Sequence, residues 1–319
     1  MNPHSNALPQ IPDLILVNPL AGAGRAGRAV PALVEYLRVS DWQAELIITS
    51  DVQDLARQAR AAATKGHSRV LVLGGDGTFQ ILFNALGNHP DVTLGVIPAG
   101  GGNDLAKALG LPRDPIRAAA LLRTGEPRFI DAVRVRTASG EERFYAGGGG
   151  LGLDAEAAYL AANAFCNWKG RFRYVAAALL AFRRFASLQI RATMYSNDWY
   201  GPRVLEKKVL LLGILNTPSY GAGLRVAPSA KLDDGKLELV ALADLNFFQI
   251  LALLPSLLLS GELCTQRLER FSIERVHIES SRPARYHGDG EIFGMTPLEV
   301  EVVPHFIRVL APKRNAKST

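Results

Sequence analysis

Val70-Leu71-Val72-Leu73 runs straight into Gly74-Gly75-Asp76-Gly77-Thr78, and this junction constrains the fold more than any other stretch of the chain. A short apolar run bounded by glycines reads as a strand buried on both faces, the kind found in parallel sheets. The glycines let the backbone adopt positive φ and pass close to a bulky group. Backbone N–H groups in such a turn, with the N-terminus of the next helix, make a cradle for phosphate. Asp76 stands in that cradle and would repel a bare anion. The motif therefore calls for a phosphate-bearing ligand with a divalent metal or a bridging network. The bland alternative is a tight strand-to-helix turn capped by Asp76.

The surrounding sequence extends this pattern. Strand-like runs at residues 14–17, 45–49 and 93–97 alternate with helical stretches at 29–37, 51–65 and 78–86, with Asp51 at a capping position. A βαβ series predicts a parallel sheet covered by helices. The glycine-bearing turns after the first, third and fourth strands then share its carboxyl edge, where open α/β sheets bind ligands. After Arg128 the pattern changes. Runs at 128–136, 143–146, 207–215, 237–242, 275–278 and 298–303 read as strands, with helices only near 172–188 and 247–259 and a four-glycine turn at 147–150. The predicted fold class is α/β: an N-terminal parallel-sheet nucleotide-binding domain plus a C-terminal mostly antiparallel β-rich domain with inserted helices. The first domain takes residues 1–127, with 305–319 returning to it, and the second takes 128–304.

Composition trims the function classes. With 319 residues, 48% of them hydrophobic, the chain has room for two domains. Its net charge of +6 favours an anionic surface or substrate, but no RNP, zinc-finger or helix-turn-helix signature accompanies it, so no nucleic-acid partner is expected. Cys166 and Cys264 give neither a disulfide framework nor metal spacing, which points to a reducing compartment. Residues 1–12 do not read as a signal peptide. Residues 247–259 are too short for a span and are interrupted by Pro255; they read as a buried core helix or as a face resting on a bilayer. The basic tail at 312–317 reads as frayed.

Further motifs accompany the glycine junction: Asn18-Pro19 with Gly22, Ile97-Pro98-Ala99-Gly100 with Asn103-Asp104, and Gly150-Leu151-Gly152-Leu153-Asp154. Beyond them lie Ala227-Pro228, Ala230-Lys231-Leu232-Asp233-Asp234-Gly235 and Asp289-Gly290-Glu291. In this order, across nearly the whole chain, they resemble the bacterial diacylglycerol kinase and lipid kinase family, related to sphingosine and ceramide kinases. NAD kinases and phosphofructokinases are similar at the Gly-Asp-Gly-Thr piece; the two last motifs separate lipid kinases from them.

The resemblance implies an ATP-dependent, Mg²⁺-dependent lipid kinase with its active site between the two domains. On the nucleotide side it implies Asn18, Thr49, the run Gly74, Gly75, Asp76, Gly77 and Thr78, and then Gly100, Gly101, Asn103 and Asp104. Asn18 suits phosphate or ribose, and equally a turn before proline. The family places Asp131 in a metal-linked network with Asp76 and Asp104; three carboxylates beside a triphosphate need Mg²⁺ or basic partners. The side chain of Asp234 and the carbonyls of Lys231 and Lys236 are implied to hold a structural Mg²⁺, against the alternative of a plain Asp-Gly turn. Glu291 is the expected general base. Asp289, two residues earlier on one extended segment, points to the same face and binds metal or orients the hydroxyl; the two can exchange roles.

The expected partners are ATP, a diacylglycerol-like lipid and an anionic membrane surface, with the oligomeric state open. Residues 210–215 and 175–182 read equally as lining for an acyl cleft and as plain core. Arg171, Arg173, Arg183 and Arg184 are candidates for meeting headgroups. The expected location is cytoplasmic, peripheral on the inner membrane face. Two positions depart from the family: Gly101 replaces the usual Thr, and Ile81 replaces a Glu. They keep open a nucleotide- or lipid-binding protein without turnover, beside a soluble-substrate kinase of the NAD kinase type.

Overall fold

The computed structural model describes residues 11–163, 180–181, 186–220, 224–245, 249 and 265–313. The expectations for Cys166, Cys264, the four headgroup arginines, the frayed tail beyond residue 313, and almost all of 172–185 and 247–259 lie outside these residues. Strands β1 (Asp13–Val17), β2 (Ala44–Ile48), β3 (Arg69–Gly74) and β4 (Thr93–Pro98) alternate with helices α1 (Ala21–Val39), α2 (Val52–Thr64) and α3 (Asp76–Leu86). Helices α4 (Asp104–Ala108) and α5 (Pro115–Arg123) follow. The strands pair in parallel in the order β4-β3-β1-β2. Residues 14–17 and 70–73 are buried throughout, as strands covered on both faces must be. Asp51 caps α2 by accepting the Asp54 N–H at 2.8 Å.

The second lobe is built from β5 (Glu126–Thr137), β6 (Glu142–Tyr145), β7 (Gly148–Gly152), α6 (Leu153–Asn163), β8 (Leu188–Tyr195), β9 (Arg203–Leu215) and β10 (Leu237–Ala243). It continues with β11 (Leu268–Ile273), β12 (Arg275–Ser280), β13 (Arg285–Gly288), β14 (Glu291–Met295) and β15 (Leu298–Ala311). Apart from the parallel contact of β15 with β4, pairings here are antiparallel. Strand β8 shows the corresponding alternation: Leu188, Ile190, Ala192 and Met194 face the core, while Gln189 and Arg191 face out.

β5 and β15 run through both lobes. They pair from Leu298 with Thr137 to Ala311 with Glu126, broken by a register shift between Val303 and Ile307 where His305 has φ 50°. Such a bulge bends a strand. Beyond it, Arg308 and Val309 lie parallel to Thr93 and Leu94 of β4. Phe306 stacks on Phe144 at 5.0 Å and meets Phe83 at 5.7 Å, filling the junction between the lobes.

Three expectations change, and one open alternative is narrowed. Residues 148–150 belong to strand β7 and not to a turn: a Cβ on Gly149 would lie 2.4 Å from the His287 carbonyl, so glycine permits the close pairing with β13. Helix α6 follows immediately and had no clear periodic signature. Leu188 opens a strand and does not end a helix. Residues 210–215 fill core: Leu212 and Ile214 join one cluster, Leu210 and Leu215 another, with Leu211 half-buried against the latter.

Candidate active site

Three corners at the carboxyl edge of the parallel sheet close on one another. At the first, Asn18 donates its side-chain N–H to the Thr78 hydroxyl at 3.2 Å, tying the β1 turn to the start of α3. Gly22 has φ 61°, and a Cβ there would lie 1.9 Å from the Ala99 carbonyl oxygen. The second and third corners touch backbone to backbone: a Cβ on Gly100 would sit 2.4 Å from the Gly75 Cα. Asn103, itself left-handed at φ 55°, clamps Gly100 by accepting its N–H at 2.8 Å and donating to its carbonyl at 3.0 Å. Arg25 donates to the carbonyls of Gly22 and Gly100. By contrast, a Cβ on Gly77 or Gly101 would meet nothing within 4 Å, so both face open space.

Other positions on this edge are internally engaged. Gly74 carries the Thr78 side chain against its Cα face. Thr49 is buried and donates its hydroxyl to the Val17 carbonyl at 2.8 Å, fixing the end of β2 against β1. Ile81 packs against the first core cluster, so the position that carries Glu in the family serves packing here. Gly101 lies where a larger residue would fit without a clash.

Asp76, the first residue of α3, turns onto the start of α4 and accepts the Leu105 N–H at 3.1 Å. Burial raises its pKa, and the neighbouring charge of Asp104 adds to the rise. Asp104 accepts the Ser219 hydroxyl at 2.7 Å and the Lys107 ammonium at 3.2 Å. Asp131, fully buried on β5, accepts the Gly235 N–H at 2.7 Å and the His305 N–H at 2.8 Å. Those bonds commit it to the turn after residue 230 and to the β15 bulge. Burial raises its pKa, with the Asp234 charge a smaller contribution.

The carboxylate from the second lobe that feels the charge of Asp76 is Asp289. Here the expectation is corrected, because Asp289 and Glu291 do not share an extended segment. Gly288 pairs with Glu291, so Asp289 and Gly290 form a two-residue hairpin loop with φ of 48° and 90°. The loop folds Asp289 inward, where its carboxylate accepts the N–H groups of Ala146 and Gly147 at 3.1 Å and of Gly148 at 2.9 Å. Its pKa is pushed up to about 6, chiefly by burial and further by Asp76, against the lowering effect of those donors. Glu291 stays exposed at the start of β14.

The turn around Asp234 is held from three sides. Asp131 binds it through Gly235, Leu232 accepts the Asp131 N–H at 2.6 Å, and Arg128 grips Asp233 at 2.7 Å. Asp234 accepts the Lys236 N–H at 3.1 Å. A carboxylate with backbone carbonyls is the kind of oxygen donor set that suits a hard cation. Among the described residues no three His, Cys, Asp or Glu side chains gather to hold a metal by themselves. An ion near Asp76 would need phosphate oxygens to complete its shell.

Sequence reasoning missed the segment after β9. Asn216 is buried and donates its side-chain N–H to the carbonyls of Asp131 at 3.0 Å and Ala146 at 3.1 Å. The Tyr220 hydroxyl donates to Asp154 at 3.1 Å and lies 2.5 Å from His287 Nε2, with the two rings stacked. Gln80 reaches across to the Phe144 carbonyl at 2.7 Å. The available signal was a polar run, Asn-Thr-Pro-Ser-Tyr, directly after a long apolar strand.

Comparison with known proteins gives a consistent picture. Residues 12–135 match the diacylglycerol kinase catalytic domain, and residues 149–311 match the YegS C-terminal NAD kinase beta sandwich-like domain. The chain is 29% identical to a diacylglycerol kinase of Mycobacterium tuberculosis over 300 residues, covering 93% of this chain and 94% of that one. It is 28% identical to a diacylglycerol kinase of Bacillus subtilis over 308 residues, covering 95% and 97%. The fold is shared with a crystal structure of a diacylglycerol kinase from Bacillus anthracis, at a TM-score of 0.69, 20% identity and coverage of 94% and 96%.

Proposed function

The chain belongs to the bacterial diacylglycerol kinase and lipid kinase family, and from that premise we propose that it transfers the γ-phosphoryl group of ATP to a hydroxyl of a diacylglycerol-like lipid. The reaction takes place in the crevice between the lobes. The observation that carries this reading is that the second lobe reaches the nucleotide corner beside the open glycines: the Ser219 hydroxyl bonds Asp104 at 2.7 Å, and Asp289 feels the charge of Asp76. The open backbone at Gly77 and Gly101 leaves room for phosphate oxygens. Arg25 and the Asn103 clamp hold the corners in place before the nucleotide arrives, which lowers the cost of ordering on binding.

In the transfer, the lipid oxygen bonds to the γ-phosphorus, the bond from that phosphorus to the β,γ-bridging oxygen breaks, and ADP leaves. Glu291 takes the hydroxyl proton; it is the exposed carboxylate on the acceptor hairpin. Asp289 holds the hairpin against the Ala146–Gly148 backbone. Mg²⁺ bound with the triphosphate supplies neutralisation of the charge on the β- and γ-oxygens. Asp76 and Asp104 on the first lobe and Asp289 on the second are the carboxylates that would hold such a cation. A second Mg²⁺, with a structural role, is assigned to Asp234 and the carbonyls of Lys231 and Lys236.

No helix among the described residues is long and apolar enough to cross a membrane. Incubation with labelled ATP, Mg²⁺ and mixed micelles of diacylglycerol, with NAD in a parallel tube, tests the assignment. Labelled lipid is the expected product. Labelled NADP would replace this reading with a soluble-substrate kinase. Nucleotide binding with no product in either tube would leave a protein without turnover.

A further inference from the structure

Segment 216–220 makes contacts to both lobes, yet none of its residues belongs to the glycine corners or to the acceptor hairpin. At its first residue, the Asn216 N–H donates to the Gly147 carbonyl at 2.8 Å, and its side chain holds the Ala146 carbonyl. Ala146 and Gly147 are two of the three amides that cradle Asp289. At Ser219 the hydroxyl, itself buried, donates to Asp104 on the nucleotide lobe. One residue on, Tyr220 is bound to Asp154 and stacked on His287, and His287 lies two positions before Asp289 on the acceptor hairpin. The segment is itself braced: the Thr217 hydroxyl donates to the Ser219 carbonyl at 2.9 Å, and Tyr220 exchanges two backbone bonds with Leu224.

We propose that residues 216–220 form a rigid alignment strap, in which Ser219 and Tyr220 are positioning residues that register the nucleotide corner against the acceptor hairpin. The two anchors lie on adjacent residues, so their separation is fixed by one peptide unit rather than by a deformable loop. Ser219 grips the lobe that carries Asp76 and Asp104; Tyr220 grips the lobe that carries Asp289 and Glu291. Phosphoryl transfer is acutely sensitive to such registration, because in-line positioning supplies most of its catalysis. The ring of Tyr220 also covers Gly148, where a Cβ would lie 2.7 Å from it, so the strap packs directly on the strand that opens the Asp289 cradle.

The role in turnover rests on the kinase reading, and two measurements separate the fates of the two ideas. In lipid phosphorylation, Ser219→Ala and Tyr220→Phe are each expected to lower kcat about tenfold, the scale of one charge-assisted hydrogen bond, with ADP affinity held within about twofold of wild type. Because the anchors act in series, the double variant falls no further than the worse single one. Ser219→Thr, which keeps the hydroxyl, restores the rate. Wild-type kcat in both single variants, or a fall fully matched by lost ADP affinity, overturns the strap while leaving the kinase reading intact.

The second measurement needs no turnover. In ligand-free protein, Ser219→Ala is expected to speed amide exchange at Ala146, Gly147, Gly148 and Asp289 about tenfold, although Ser219 bonds to none of them. Exchange that changes only around residues 104 and 219 would reduce Ser219 to a local contact. If wild-type protein phosphorylates no lipid, the kinase reading falls, and this exchange result still decides the strap.

Discussion

Gly100→Ala is the sharpest test of the nucleotide corner, because the cost can be worked from the backbone. The added methyl would stand 2.4 Å from the Gly75 Cα and 2.7 Å from Asn103 Oδ1. Real Cβ contacts of this kind need roughly 3.4 Å or more, so the two corners must part by about 1 Å. No flexible side chain can absorb this, since the first obstacle is main chain. Overpacking of this kind costs about 1–3 kcal/mol. For a protein of this size that corresponds to a fall of about 1.5–4.5 °C in melting temperature. A displacement of about 1 Å at phosphate-binding amides is expected to lower kcat/KM for ATP about 10²-fold. Thermal denaturation and steady-state kinetics with varied ATP read the two effects. Gly101→Ala, whose Cβ meets nothing, is the stability control and should melt with wild type. If Gly100→Ala melts and turns over like the parent, the corners are not in contact and the cradle is wrongly drawn.

Other substitutions probe the remaining parts. Glu291→Gln should cut lipid phosphorylation by about 10²- to 10⁴-fold with an unchanged melting temperature, because the side chain is exposed; a rate within a few-fold of wild type removes it as the base. Asp289 should titrate at about 6 in carboxyl-observed NMR, and Asp76→Asn should move that midpoint down. A raised carboxyl pKa means that its contribution to stability is complete below the unfolded value of 3.8 and is lost as pH rises through about 6, a loss of about 3 kcal/mol. A midpoint that ignores Asp76→Asn would separate the two carboxylates. Arg25→Ala should weaken ADP binding about tenfold in calorimetry by releasing Gly22 and Gly100, and unaltered affinity would make its bonds incidental. Adding Mg²⁺ to EDTA-treated protein should raise the melting temperature of wild type more than that of Asp234→Ala; equal rises would take the 231–236 turn out of cation binding.

The sequence made the first lobe legible because its local rules agree. Strands such as 70–73 are apolar on both faces, Asp51 caps as its type predicts, and glycines mark the corners. The second lobe was legible only in outline. Gly148 to Gly150 read as a turn because glycine signals flexibility, whereas in the fold crowding by β9 and β13 excludes side chains there. Asp289 and Glu291 seemed to share a face because a two-residue spacing means that in a strand; two positive-φ residues between them break the rule. The backbone donors that hold Asp131 come from residues 235 and 305, too remote in sequence for any local pattern to reveal. Segment 216–220 carried no periodicity at all, since its role lies in bonds to partners as far away as Asp104.

Strand β15 has a consequence for biogenesis. Ile307, Val309, Leu310 and Ala311 belong to the hydrophobic interior of the lobe built from the chain's first third, and β4 gains its outer neighbour only from this strand. These residues are synthesised well after β4. Until they emerge and pair, β4 presents an open parallel edge, and a non-local pairing of this kind is slow to form. A cut at residue 127 would therefore part β4 from the strand that covers its edge.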